Sequence, residues 1–360
     1  MINKRNFLKS AMVAGLATTQ LPFAALAGKR TPGTQGKRKW KHWVWVNPRL
    51  SDKEVDLQRS YASYYEAGIR GIFFEAASEM HFRAAKQNQI EAHRWIWTLN
   101  RGEKSLLAAH PDWYAVNRKG ESCADKPPYV GYYRWLCPTR EEVSQYLETE
   151  VKNILRPDWV DGVHLDYVRY CDVILPLNLW SKYGIEQNRE LPEYDYCYCP
   201  VCQERFQQQG GPDLLALKHP DQSLSWRKFR YDNITRIVNR LAAVAQELKK
   251  PITAAVFPTP EVAKRNVRQD WTKWNLDAIC PMIYHGFYQE NVAWIGDAVA
   301  EGVAGIGGKF PLYAGLFLPD FKSRDEIKRG MELAMQNGAA GISLFGRVDS
   351  AVLETLSSVK

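Results

Sequence analysis

The sequence predicts an α/β fold, a (β/α)8 TIM barrel with a long cysteine-containing insert after the fourth strand. Eight short apolar runs of strand character alternate with eight helical patterns over about 320 residues. No G-x-G-x-x-G follows the first run and no P-loop is present, which disfavours an open doubly wound sheet. Carboxylates, Asn, Arg, Tyr and His gather at the C-terminal ends of the runs, where a parallel barrel carries its site.

The chain opens with a targeting segment, residues 1–27, that takes no part in the fold. Asn3-Lys4-Arg5-Asn6-Phe7-Leu8-Lys9 resembles a twin-arginine export signal with Lys in place of the first Arg. A mainly apolar stretch follows, and Ala25-Leu26-Ala27 offers a small-residue cleavage site. Twin-arginine and general secretion both remain open, and either implies a periplasmic or extracellular protein. The stretch is short and broken by Thr18-Thr19-Gln20 and Pro22, so a signal peptide fits it better than an anchor. No other segment approaches the roughly 20 apolar residues that span a bilayer. Residues 28–41 read as a basic linker.

The whole chain carries a net charge of +8, but residues 1–41 hold nine Lys/Arg and no Asp or Glu, leaving −1 for the remainder. A nucleic-acid footprint requires basic residues clustered on the folded domain. None is clustered there, so no nucleic-acid partner is expected.

From residue 42 the barrel elements follow in order. Strands are expected at 42–46, 71–75, 94–98, 162–166, 252–257, 278–283, 312–317 and 341–345. Each is a run of apolar residues bounded by polar or turn-forming ones. Helices fall at 52–67, 79–88, 140–155, 226–249, 261–268, 291–301, 323–337 and 349–358. The insert occupies about 171–225, long enough for a barrel loop to suggest function.

Strand four organises the site. In Val160-Asp161-Gly162-Val163-His164-Leu165-Asp166-Tyr167-Val168-Arg169-Tyr170, apolar residues alternate at Val163 and Leu165, after which polar and aromatic side chains take over. Asp166 at the strand end is the first choice for a catalytic carboxylate. Arg169, three residues on, could instead close an ion pair with it. The other strand ends supply Asn47, Glu75, Asn100, Arg101, Tyr284, His285, Asp320 and Arg347, with Trp45, Trp97, Tyr167, Phe287 and Phe317 nearby. A mouth lined by carboxylates and aromatic rings suits sugars, whose C–H faces pack on rings while their hydroxyls bond to polar groups.

Cys197-Tyr198-Cys199-Pro200-Val201-Cys202 lies inside the insert. Three thiols in six residues suit a tetrahedral Zn²⁺ better than mutual pairing, and a fourth ligand would come from Cys123, Cys137 or Cys171. Disulfides are the alternative that export would permit. Leu136-Cys137-Pro138-Thr139 together with the C-Y-C-P-V-C run resembles the structural zinc site of the family 42 β-galactosidases. That resemblance implies Cys137, Cys197, Cys199 and Cys202 as ligands of a closed, non-catalytic zinc.

His110-Pro111-Asp112-Trp113 with Gly120, the strand-four run and Pro281-Met282-Ile283-Tyr284 resemble the glycosyl-hydrolase-like barrels of bacterial exported proteins. Strand four is also similar to that of family 18 chitinases, with two departures: Val168 stands where their acid Glu would be, and His285 replaces the Asp of M-x-Y-D. The Asn-Glu pair of family 42 is absent after strand four. Neither mechanism therefore transfers. The resemblance implies a glycoside hydrolase acting on a poly- or oligosaccharide, with Asp166 as one carboxylate and Glu75 or Asp320 as its partner. In this reading Asn47, Trp45, Trp97, Arg169, Tyr170, Tyr284 and His285 contact the sugar, and no organic cofactor is needed. The alternative is a carbohydrate-binding barrel without catalysis. An amidohydrolase-type metal centre would need His-x-His at the end of strand one, where His42-Trp43-Val44-Trp45 stands.

Overall fold

The computed structural model describes residues 41–49 and 51–359. The expected export segment at 1–27 and all of the linker except Lys41 lie outside the described residues.

Eight strands form one sheet: β1 (His42–Val46), β2 (Ile69–Phe74), β3 (Glu91–Trp97), β4 (Gly162–Asp166), β5 (Ile252–Val256), β6 (Ala278–Pro281), β7 (Tyr313–Phe317) and β8 (Gly341–Phe345). Their order is β6-β5-β4-β3-β2-β1-β8-β7. Parallel bridges from Ile279 to Leu312 and from Met282 to Gly315 bring β7 back against β6. The result is the (β/α)8 barrel the sequence predicts. Helices cover its outside, from Glu54–Glu66 after β1 to Ser350–Ser358 after β8.

The period-two alternation of the strands divides the apolar residues into two cores. Val44, Ile72, Phe74, Ile96, Val163, Leu165, Ile279, Leu316 and Leu344 point outward and meet the helices. Each such side chain contributes about 1.5–3 kcal/mol by leaving water. Trp43, Trp45, Phe73, Trp95, Cys280 and Tyr313 point inward and fill the barrel. Trp43 stacks on Phe73 with centroids 4.6 Å apart, and Phe73 on His164 at 3.6 Å. Gly71 makes room for this pile, since a Cβ there would lie 2.1 Å from the Trp43 ring.

Four of the helices start where a polar side chain satisfies a free amide. The Ser223 hydroxyl accepts from Trp226 N, Thr259 from Val262 N and Ser323 from Glu326 N, while the Asp349 carboxylate accepts from Val352 N. Strand β3 begins at Glu91, three residues ahead of the sequence expectation. Its first turn of chain is polar because Glu91 pairs with Lys41 at the barrel base, and the Asp161 carboxylate accepts from Ala92 N at 3.0 Å.

Two long connections, after β3 and after β4, share the C-terminal face. The second includes the insert, with helices Trp180–Tyr183 and Pro200–Gln208. Buried ion pairs hold it: Arg230 with Asp195, and Arg268 with Glu190. Tyr129, from the first connection, donates its hydroxyl to the Asp172 carbonyl at 2.8 Å. The two loops therefore close over the barrel mouth as one body.

Candidate active site

A cavity of about 480 Å³ opens at the C-terminal ends of the strands. That volume lies within the usual range for a ligand site. Strand alternation sets its floor: Trp45 from β1, Trp95 from β3 and Asp166 from β4 all face inward at the barrel top. Glu75, Trp97 and Tyr284 rise at the rim, and Tyr133, Asp172 and Leu175 come down from the two loops.

The Asp166 carboxyl is buried at this floor. Its Oδ2 accepts from Trp95 Nε1 at 3.1 Å and its Oδ1 from the Tyr167 amide at 2.6 Å. Burial pushes its pKa up to about 6; the Tyr167 amide, Arg169 and Trp95 oppose the shift, and the Glu75 charge adds to it. Glu75 is half-buried and leads out of Phe73-Phe74, both fully buried. A carboxyl that holds its proton near pH 6 beside a second carboxylate has the composition of an acid/base pair.

Nine of the sequence-predicted residues converge here: Asp166, Glu75, Asn47, Trp45, Trp97, Tyr167, Arg169, Tyr284 and Phe287. Arg169 does not pair with Asp166. Its guanidinium donates to Asp172 Oδ2 at 2.9 Å and sits among the rings of Trp135, Tyr167 and Phe257.

Six predicted residues lie elsewhere. Asp320 accepts from Gly286 N at 3.0 Å, holding the loop after β6 behind Tyr284, and burial raises its pKa. The helix that follows is capped by Ser323. His285 is buried against Phe321 with its Nδ1 unpaired. Tyr170 points away from the cavity toward the cysteine cluster. Asn100 and Arg101 are structural as well: Asn100 Oδ1 accepts from Arg134 N at 2.9 Å, and Arg101 pairs with Glu150. Arg347 lines a separate polar pocket beside the helix Glu54–Glu66.

Trp95, Asp172 and Tyr133 line the cavity without having been singled out from sequence. Trp95 carried a signal, since it stands two residues before Trp97 and so shares its face of β3. Asp172 and Tyr133 come from irregular loops, where no periodicity points inward.

The sulfurs of Cys137, Cys197, Cys199 and Cys202 lie within 4.8 Å of one another, all four buried. Cys137 Sγ is 3.6 Å from that of Cys199 and 3.5 Å from that of Cys202. Zinc–sulfur bonds of about 2.3 Å in a tetrahedron give sulfur–sulfur distances of about 3.8 Å. All seven cysteines are free thiols, so the disulfide alternative has no counterpart among the described residues. The surroundings also suit a metal thiolate. The buried Tyr170 hydroxyl has no partner, and the thiols of Cys202, Cys137 and Cys197 act on it. Val116 N donates to Cys197 Sγ at 3.4 Å. Cys199 stands at the N-terminus of the helix Pro200–Gln208, whose dipole favours negative sulfur. The cluster could hold a metal ion, tying the loop after β3 to the insert.

Solved structures similar to this chain include a glycoside hydrolase domain, a β-amylase and a β-galactosidase. One is the PgaB (BpsB) glycoside hydrolase domain of Bordetella bronchiseptica, with a TM-score of 0.64 and 13% identity over 89% of this chain and 98% of that one. Another is the catalytic domain of the β-amylase of Paenibacillus polymyxa, at 0.61 and 10% over 89% and 98%. A catalytic mutant of Gan42B, a GH42 β-galactosidase from G. stearothermophilus, scores 0.62 at 13% identity over 90% of this chain and 56% of that one. At these identities the likeness shows the fold alone. No curated protein sequence matches the chain. Residues 77–301, from the loop after β2 to the helix after β6, match the glycosyl hydrolase-like 10 family, and the chain belongs to that family.

Proposed function

We propose that this protein is an exported glycoside hydrolase that cleaves O-glycosidic bonds of a poly- or oligosaccharide, with Asp166 as the proton donor. The observation that carries the reading is the buried Asp166 carboxyl at the floor of an aromatic-walled cavity, held on both oxygens, with Glu75 at the rim. Protonated, it gives its proton to the leaving-group oxygen as the C–O bond breaks. Glu75 supplies the second carboxylate, which either bonds to the anomeric carbon and is then displaced by water or takes a proton from the water that attacks that carbon. The rings of Trp45, Trp97 and Tyr284 offer faces for the sugar's C–H groups, and Asn47 offers hydrogen bonds to its hydroxyls. Arg169 contributes indirectly, by holding Asp172 at the wall.

Four buried thiols and no carboxylate select zinc or a similar soft-binding metal. Cys137, Cys197, Cys199 and Cys202 would hold it with no open coordination position, so its chemistry would be structural. Residues 1–27 would direct export and then be removed.

Sugar release from a panel of plant, host and cell-wall glycans by the mature protein, beside Asp166→Asn, tests the reading. Release by the wild type with a loss of at least a hundredfold in the variant supports it. Saturable glycan binding without product would instead make the chain a carbohydrate-binding barrel.

A further inference from the structure

Two N–H groups aim at Asp166, and neither is placed by accident of a mobile side chain. Trp95 lies on β3 opposite His164 of β4, while Trp97 lies opposite Asp166. Trp95 and Asp166 therefore both face into the barrel, one level apart, so the indole reaches upward to the carboxyl. The ring is buried and meets Phe345 edge-on at 6.2 Å and 86°, which leaves its N–H one direction. The second donor is the Tyr167 amide. Tyr167 has φ +49, a left-handed conformation that non-glycine residues seldom adopt and that clusters at functional sites.

We propose that Trp95 is the positioning residue of Asp166: its indole N–H fixes the direction of the carboxyl toward the cavity and favours the ionised form, acting through the carboxyl and not on the sugar. The catalytic consequence rests on the proposed role of Asp166; the hydrogen bond itself does not. A hydrogen bond donated to a carboxylate stabilises the anion and opposes burial. The other groups facing Asp166 are Glu75 from the end of β2, Arg169 and Tyr167 beyond β4, and Tyr284 beyond β6. Strands β1, β5 and β8 present Trp45, Ala255 and Phe345 to the cavity, none of which titrates in the working range. Of the side chains around the carboxyl, Trp95 alone donates a hydrogen bond to it. It therefore holds the proton affinity of Asp166 below what burial would impose, so the proton can be released as well as held.

The test is a pH titration by NMR of protein labelled at the aspartate carboxyl carbons, with Asp166 assigned through Asp166→Asn. In Trp95→Phe, which keeps a ring and removes the N–H, the Asp166 midpoint is expected to rise by about one pH unit. An unchanged or lowered midpoint overturns the proposal. Should Trp95→Phe fail to fold, the wild type decides. Its Trp95 indole N–H resonance, assigned through contacts to Phe345, must shift with the same midpoint as the Asp166 carboxyl. A resonance flat through that transition overturns the proposal. Neither readout uses a sugar, so a protein that shows the coupled titration but releases no sugar would refute the hydrolase reading alone.

Discussion

Arg169 donates to Asp172 at 2.9 Å, and both side chains are buried at the wall of the cavity. Three aromatic rings surround the guanidinium, at 4.7 Å for Trp135, 5.0 Å for Phe257 and 5.2 Å for Tyr167. Removing one partner of such a pair leaves a charge without water or counterion. Asp172→Asn should therefore destabilise the protein by about 3–5 kcal/mol, read as a lower midpoint in urea unfolding. Arg169→Met combined with Asp172→Leu should cost clearly less than Asp172→Asn alone. Equal losses in the two proteins would show that the pair does not act as a unit.

Asp166 should make stability depend on pH. Burial first, with help from Glu75, raises its pKa from 3.8 to about 6. A carboxyl with a raised pKa in the folded state contributes stability that is complete below the unfolded value and is lost as pH rises through the folded one. The loss by pH 8 is about 3 kcal/mol. Thermal melts of Asp166→Asn and wild type should therefore diverge in the variant's favour between pH 4 and pH 8. A constant difference over that interval would place the Asp166 pKa near its ordinary value.

Glu75 and Asp320 were both candidates in the sequence, Asp320 the weaker of the two, and they should separate in the laboratory. Glu75→Gln is expected to lose at least a hundredfold in sugar release, since it removes the proposed partner of Asp166. Asp320→Asn keeps an acceptor for Gly286 N and should stay within about twofold of wild type. The reverse pattern would move the catalytic pair to the loop after β6.

The cysteine cluster should carry about one zinc per chain in the purified protein, measured by elemental analysis. Cys199→Ser should abolish it. Because metal binding is coupled to folding, removal by a strong chelator should lower the melting temperature and expose the insert to proteases first. A metal-free protein with unchanged stability would leave the four thiols as packing alone.

The barrel was legible because its signal is repetition. The runs that read as strands are strands, and Val163 and Leu165, which alternate in the sequence, meet the helices in the structure. The four-cysteine cluster was legible through spacing and resemblance together, since no periodicity selects Cys137 over Cys123 or Cys171. Position at a strand end was a weaker guide. It found Asp166, Glu75 and Tyr284, but it also gathered Asp320, His285 and Tyr170, whose loops turn their side chains toward Gly286, Phe321 and the sulfur cluster. Once the chain leaves a strand, direction depends on local backbone geometry that residue type does not encode. Asp172 and Tyr133 escaped notice for the same reason, as parts of long loops folded back over the mouth.

The pile of Trp43, Phe73 and His164 inside the barrel has a bearing on traffic. With rings stacked at 4.6 Å and 3.6 Å across the axis, the interior is a plug and not a channel. Whatever enters the cavity must leave through the same opening. A long polymer cannot be threaded through this molecule. On the proposed reading a glycan is approached from the side or by its end, and each fragment it yields would back out past Trp97 and Tyr284 before the next could settle.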